Sequence, residues 1–332
     1  MFFTLKLPSL VSATALAFGL LSVSTAGAQT CENRGELDAQ YCDLNRDLVA
    51  DVPKTPINPP KLVLGISSVE DAYTARRTYA PLMDYLAICL KKDIEMYPPV
   101  REGLVLEAQR NNIVHIGQYA TGGTMYAVNF AGAIPFAGKG HESAGRTDIY
   151  TLKLLVRADS PVKQAADLKG KRIAHTTQSS NSGNLAPRAL FPELGLTPDV
   201  DYKVEFSGGH DKSIIGVKLG LYDAAAIASD VMERLIAKGE IKASDFRVIY
   251  QSDPFPTDAF AMSSTLDPKL QGQIRKCFTD FHFPETMSKQ LEGTNRFYPL
   301  EYKKDWSVVR LIAKAAGNAP NRANYQKILD KK

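Results

Sequence analysis

Hydrophobic and polar positions along this 332-residue chain switch between a strand-like and a helix-like period. Residues 61–66 read KLVLGI, a short apolar run that predicts a strand. Tyr79, Leu82, Met83, Leu86 and Leu90 then recur at helical spacing, so 74–90 predicts a helix. Residues 94–98, 103–109 and 113–117 predict a second strand, a second helix and a third strand. An order of β-α-β-α-β implies a parallel sheet with both faces covered. A second α/β section opens near residue 147, with strands over 150–157, 172–175, 202–206 and 224–227. Its helical segments fall at 164–169, 185–194 and 211–219. The pattern changes again near residue 252 and closes with helices over 270–280 and 306–316.

The N-terminus stands outside this pattern. One positive charge, an apolar run over 10–23 and Ala26-Gly27-Ala28 predict a secretory signal peptide over 1–28, cleaved before Gln29. The run is too short and small-residue-rich for a membrane span, and the residues before Cys31 lack a lipid-attachment pattern, so a soluble exported protein is expected. Residues 29–60 are polar and end in Pro53, Pro56, Pro59 and Pro60, which reads as an extension and linker. What remains is long enough for two compact lobes: 60–148 plus 252–332, and 149–251.

Composition narrows the class without naming it. A hydrophobic share of 44% and a charged share of 23% are ordinary for a globular chain. A net charge of +4, with Lys and Arg interleaved with acids, argues against a nucleic-acid surface and allows a small anionic ligand. In an exported chain the 4 cysteines favour pairing. Cys31 and Cys42 bracket a short charged stretch and are expected to close a local loop, leaving Cys89 and Cys277 to each other or as two buried thiols.

The chemistry concentrates in QSSNSGNLAP, from Gln178 to Pro187. Ser180, Asn181 and Ser182 fall where a strand turns into a helix, and Gly183 allows the backbone a close approach. Amides at a helix start carry partial positive charge, and small hydroxyls add donors, which together make an anion seat. An ordinary N-cap is the plainer reading of the same residues.

Several motifs in order resemble the periplasmic phosphonate/phosphite/phosphate-binding proteins of ABC importers. They are DIYTLKLLVRADSP from Asp148, DLKGKRIA from Asp167, SNSG from Ser180, GGH ending at His210, DPFPTD ending at Asp258 and RFYPL from Arg296. The similarity runs from about Lys61 to Ala316. It implies the type II periplasmic binding-protein fold: two α/β lobes joined by two crossover strands, with the ligand trapped in the cleft and the hinge closing around it. It further implies a ligand set. The hydroxyl cluster falls on Ser180, Asn181 and Ser182, with Asn181 standing where the family usually has threonine. The family's histidine falls on His210, which without the resemblance would read as a turn or cap residue.

Asp230 and Asp258 match acids that in aminoalkylphosphonate binders face the ligand, pairing with an amine or accepting the proton of a protonated oxyanion. Asp230 otherwise caps the helix that follows it. On the other wall Tyr119 is expected either to line the cleft or to pack as a core aromatic. Arg101 replaces a family aromatic; it would offer a bidentate donor to a second anionic group, or pair at the surface with Glu102.

The leading expectation is therefore a periplasmic solute-binding protein that captures a phosphonate-like anion and hands it, as a monomer, to an ABC permease. No cofactor and no metal are expected. A binding protein serving a sensor kinase is the alternative. A phosphoester hydrolase ranks below both, because the five histidines show no metal-ligand spacing and no serine sits in G-x-S-x-G.

Overall fold

The computed structural model describes residues 31, 33–67, 72–98, 101–317 and 319–330. The expected signal peptide lies outside them. In chain order the strands are β1 (Lys61–Ile66), β2 (Asp93–Met96), β3 (Ile116–Ala120), β4 (Ala133–His141), β5 (Arg146–Thr147), β6 (Ile149–Tyr150), β7 (Leu152–Arg157), β8 (Arg172–His175), β9 (Lys203–Phe206), β10 (Ala224–Ala228), β11 (Phe246–Gln251), β12 (Phe255–Pro256), β13 (Asp258–Ser263) and β14 (Arg296–Pro299). The helices are α1 (Ala72–Leu90), α2 (Glu102–Arg110), α3 (Thr121–Ala131), α4 (Ala186–Leu190), α5 (His210–Lys218), α6 (Ser229–Ala237), α7 (Pro268–Asp280), α8 (Glu285–Gln290), α9 (Tyr302–Asp305), α10 (Ser307–Ala315) and α11 (Arg322–Asp330). None of them is long and apolar enough to cross a membrane.

Two sheets organise the chain. The first runs β14-β4-β13-β3-β1-β2, with β5 added beside β4; the second runs β11-β7-β10-β8-β9. In the first, β1 pairs parallel with β2 and β3, while β13 lies antiparallel between β3 and β4. In the second, β10, β8 and β9 are parallel, and β7 runs antiparallel between β10 and β11. Both central strands, β10 (AAAIA) and β13 (DAFAMS), are buried along their whole length, as strands covered on two faces must be. Between the sheets the chain passes twice, and the two passages pair as a short antiparallel ribbon, Tyr150 opposite Phe255 and Ile149 opposite Pro256. This is the type II binding-protein fold.

The packing explains what the elements do. Under the first sheet, Phe136, Phe260, Phe278, Phe281, Phe283 and Phe297 form one apolar cluster with α1 and α7. Cys89 on α1 and Cys277 on α7 are joined there as a disulfide, Cα to Cα 6.1 Å, and Cys31 joins Cys42 at 5.5 Å. Helix α10 packs against α4, and Val309 and Ile312 on it, with Trp306 just before it, enter the second core. Residues 33–60 are held too: Asp38 takes Arg110, its amide reaches the Asn129 carbonyl, and Leu37 and Ala50 are buried.

Candidate functional site

The strand β8 ends at His175, and the turn after it feeds a helical run that starts as a π turn (Asn181–Leu185), continues as α4 and tightens to a 3-10 turn ending at Leu194. Ser180 is the N-cap; its carbonyl accepts from both the Asn184 and Leu185 amides, and its Oγ accepts from the Gly183 amide at 3.1 Å. A side chain at Gly183 would put its Cβ 1.9 Å from Thr176 Oγ1, so only glycine lets the turn close on β8.

This start of helix is lined by polar atoms without partners. Asn181 Oδ1, Ser182 Oγ and Thr176 Oγ1 are buried and form no hydrogen bond of normal geometry. Leaving such atoms unmet costs about 1–3 kcal/mol each. The Asn181 Nδ2 group donates to the Tyr150 hydroxyl at 3.1 Å.

His210 opens α5 beside the same turn. Its Nδ1 accepts from the Ala228 amide at 3.0 Å, so the neutral ring carries its proton on Nε2, 3.3 Å from Ser180 Oγ. Burial pushes its pKa down to about 4. A serine beside a histidine suggests a nucleophile and its base, but this tautomer forbids that: Nε2 is already protonated and can only donate. The pair is a donor pair.

The opposite side is closed by α3. Thr121 Oγ1 donates to the Pro256 and Thr257 carbonyls, 2.7 Å each, and the Thr121 carbonyl takes the fully buried Trp306 Nε1 at 2.8 Å. A Cβ at Gly122 would lie 1.9 Å from Ser179 O and 3.3 Å from Asn181 N, so α3 rests directly on the seat's backbone. At Gly123 the neighbour is the Glu102 carboxylate, which also accepts from the Ala120 amide at 2.8 Å. Burial lifts Glu102 to about 7. Tyr150, on the ribbon strand β6, sits at the meeting point: burial first raises its pKa, and Thr121, Asn181, Asp230 and Ser182 all act on its hydroxyl.

The sequence-derived residues separate into groups. Ser180, Asn181, Ser182 and His210 come together. Asp230, in the first turn of α6, joins them, with Oδ1 buried and unpaired and its pKa lifted to about 6, chiefly by burial and then by Glu292. Asp258 departs from expectation. Its Oδ2 is held by Lys139 Nζ at 2.9 Å and Gln118 Nε2 at 2.6 Å, so this carboxylate is not an open partner for a ligand amine. Tyr119 takes the core alternative: it is fully buried and its hydroxyl donates to Gln109. The reason is register. The third strand spans Ile116–Ala120, not 113–117, so Tyr119 lies inside the strand and faces the α2–α3 layer while Gln118 turns the other way. Arg101 stands exposed before α2 and makes no side-chain cap bond.

Tyr150, Thr121, Gln118 and Lys139 were not singled out from the sequence. Only Tyr150 carried a signal there, as the polar-tipped aromatic of the DIYTLKLLV stretch.

Comparison with known proteins agrees with this architecture. Residues 64–305 match the family model described as ABC transporter, phosphonate, periplasmic substrate-binding protein. The chain is similar to the phosphate-import protein PhnD of Mycolicibacterium smegmatis, 24% identical over 233 residues, covering 66% of this chain and 71% of that one. Among solved structures it is similar to a binding protein component of an ABC phosphonate transporter from Pseudomonas aeruginosa, at TM-score 0.65 and 20% identity, over 82% of this chain and 94% of that one. A second is PhnD1 from Prochlorococcus marinus in complex with methylphosphonate, at TM-score 0.66 and 15% identity, over 79% and 100%.

Proposed function

We propose, because the chain belongs to the phosphonate-binding periplasmic substrate-binding proteins of ABC transporters, that its cleft holds the tetrahedral oxyanion of a phosphonate or phosphate at the start of the Asn181–Leu194 helical run. The family carries solute for import and does no covalent chemistry. The observation that supports this seat is the set of unpartnered buried atoms on Asn181, Ser182 and Thr176, gathered beside a histidine whose tautomer presents a proton.

In this reading Ser180 and Ser182 donate their hydroxyl protons, His210 donates from Nε2, and the amides at the helix start face the oxyanion. The Asn181 amide turns about its last bond, so that Nδ2 meets the anion and Oδ1 accepts from Tyr150 in its place. Asp230 accepts the proton of a monoprotonated head group, or donates one when it is itself protonated. Neutral donors and a single acid suit a compact oxyanion. The relatives named for phosphate import and the methylphosphonate complex support the same ligand class. Residues 60–148 and 252–332 serve as one lobe and 149–251 as the other; they close over the ligand, and the closed form is what an inner-membrane permease receives from a monomeric binding protein.

Thermal shift on the purified protein tests the reading against phosphate, phosphite, methylphosphonate, aminoethylphosphonate and sulfate. A ligand at about 1,000 times its Kd adds roughly 4 kcal/mol of stability. A melting temperature unmoved by every phosphorus oxyanion at millimolar concentration would falsify it.

A further inference from the structure

Lys139 projects from β4, and its ammonium lies 2.9 Å from Asp258 Oδ2, with side chains only 18% and 8% exposed. Gln118 Nε2 takes the same oxygen at 2.6 Å. Burial alone would lower the Lys139 pKa; the adjacent Asp258, with Tyr79 and Glu292, outweighs it and keeps the lysine charged above its usual range. Asp258 opens β13 opposite Ala120, two residues before Gly122, which lies against the seat's Ser179 carbonyl. It follows Thr257, whose carbonyl accepts from Thr121 Oγ1, and Thr121 bears on Tyr150, which holds Asn181 of the seat. The ion pair therefore stands on the first-sheet side, opposite the helix start that takes the oxyanion.

Two further acids are also bound. Glu292, whose charge reaches both Lys139 and Asp230, is bound by Arg234, and Glu102 lies against Gly123 on the Ala120 amide. Asp230 keeps a free oxygen, but its charge acts on the Tyr150 hydroxyl, at the oxyanion end.

We infer that Lys139 is a specificity-determining residue: a built-in ammonium that occupies Asp258, so that the cleft takes phosphonates with a small uncharged substituent and turns away those bearing an amine. A ligand ammonium entering on this side meets a buried like charge and finds Asp258 already neutralised. The inference rests on the oxyanion seat proposed above.

Calorimetric titration with methylphosphonate and aminoethylphosphonate tests it on wild type, Lys139→Met and the double variant Lys139→Met/Asp258→Asn. Wild type is expected to bind methylphosphonate at least ten-fold more tightly. Lys139→Met should shift the ratio of the two affinities at least ten-fold toward aminoethylphosphonate, and adding Asp258→Asn should abolish that shift. An unchanged ratio in Lys139→Met overturns the inference, as does a wild type that binds both equally. A wild type that binds neither compound overturns the seat and the inference with it. If Lys139→Met melts below the working temperature, rescue becomes the readout: aminoethylphosphonate should restore its Tm more than methylphosphonate does, and equal or absent rescue overturns the inference.

Discussion

The backbone amide of Ala228 donates to Nδ1 of His210 at 3.0 Å, and that one bond decides what the histidine can do. With Nδ1 engaged as an acceptor, protonating the ring breaks a hydrogen bond as well as charging a buried group, and the pKa sits near 4, down from the usual 6.5. His210 is therefore neutral through the physiological range and can act only as a neutral donor. Its proton NMR resonances in the free protein should be flat from pH 8 to about pH 5. The linked stability is present above pH 6.5 and lost as pH falls toward 4, because the unfolded chain takes up the proton first. A titration midpoint near 6.5 in the free protein would contradict the tautomer.

Ser180 and Ser182 are expected to contribute to binding far more than to folding. Ser180 caps the π turn through Gly183, which is worth about 1 kcal/mol, and Ser182 Oγ makes no hydrogen bond of normal geometry while acting on the Tyr150 hydroxyl. Replacing both by Ala removes two hydrogen bonds to an anion, roughly 3 kcal/mol or over 100-fold in Kd. Calorimetry and a melting curve on the same sample check this: unchanged affinity with a lowered Tm would make the pair merely structural.

Gly122 and Gly123 are adjacent yet should respond differently. A Cβ at Gly122 strikes the Ser179 carbonyl, which is backbone, whereas at Gly123 it strikes the end of the Glu102 side chain, which can swing aside. Gly122→Val is therefore expected to hold the two walls apart and weaken ligand binding at least ten-fold, with Gly123→Ala much milder. Small-angle scattering with saturating ligand gives the direct check. A Gly122→Val protein as compact as wild type under ligand would show that the contact does not govern closure.

Glu102 predicts the opposite pH trend to His210. Its pKa rises from 4.5 to about 7 on burial, so its contribution is fully present below pH 4.5 and is lost as pH climbs through 7. Glu102→Gln keeps an acceptor for the Ala120 amide without the charge. It should stabilise the protein at pH 8 by roughly 1–2 kcal/mol, after discounting for partial exposure, and leave it unchanged at pH 4. Equal effects of the substitution at both pH values would rule out a raised Glu102.

What the sequence made legible follows from periodicity and from local motif. Strand β8 appears with the expected bounds, and α1, β9, α5 and α7 lie within two residues of theirs. Helix α3 escaped notice because all eleven of its residues are buried: TGGTMYAVNFA has no polar face to give a period, and two glycines argue against a helix. The same gap hid β4 and with it Lys139. In the site, Ser180 to Ser182 and His210 are contiguous with motifs and could be found. Tyr119 could not be placed, since the strand expected over 113–117 stops two residues before it, whereas β3 runs through it to Ala120. The partner of Asp258 lies 119 positions earlier in the chain, and nothing local announces a pairing at that range.

The bond between Cys89 and Cys277 spans 188 positions, and every strand of the second sheet lies between its ends. A chain delivered N-terminus first thus presents α1 long before its covalent partner exists. Until residues 258–263 arrive, the first sheet also lacks β13, the strand that joins β3 to β4. The second sheet, contiguous from 152 to 251, has all its strands earlier. Loop-closure entropy then favours an inside-out order of assembly: the inserted half first, the enclosing half around it, and the covalent ring sealed last.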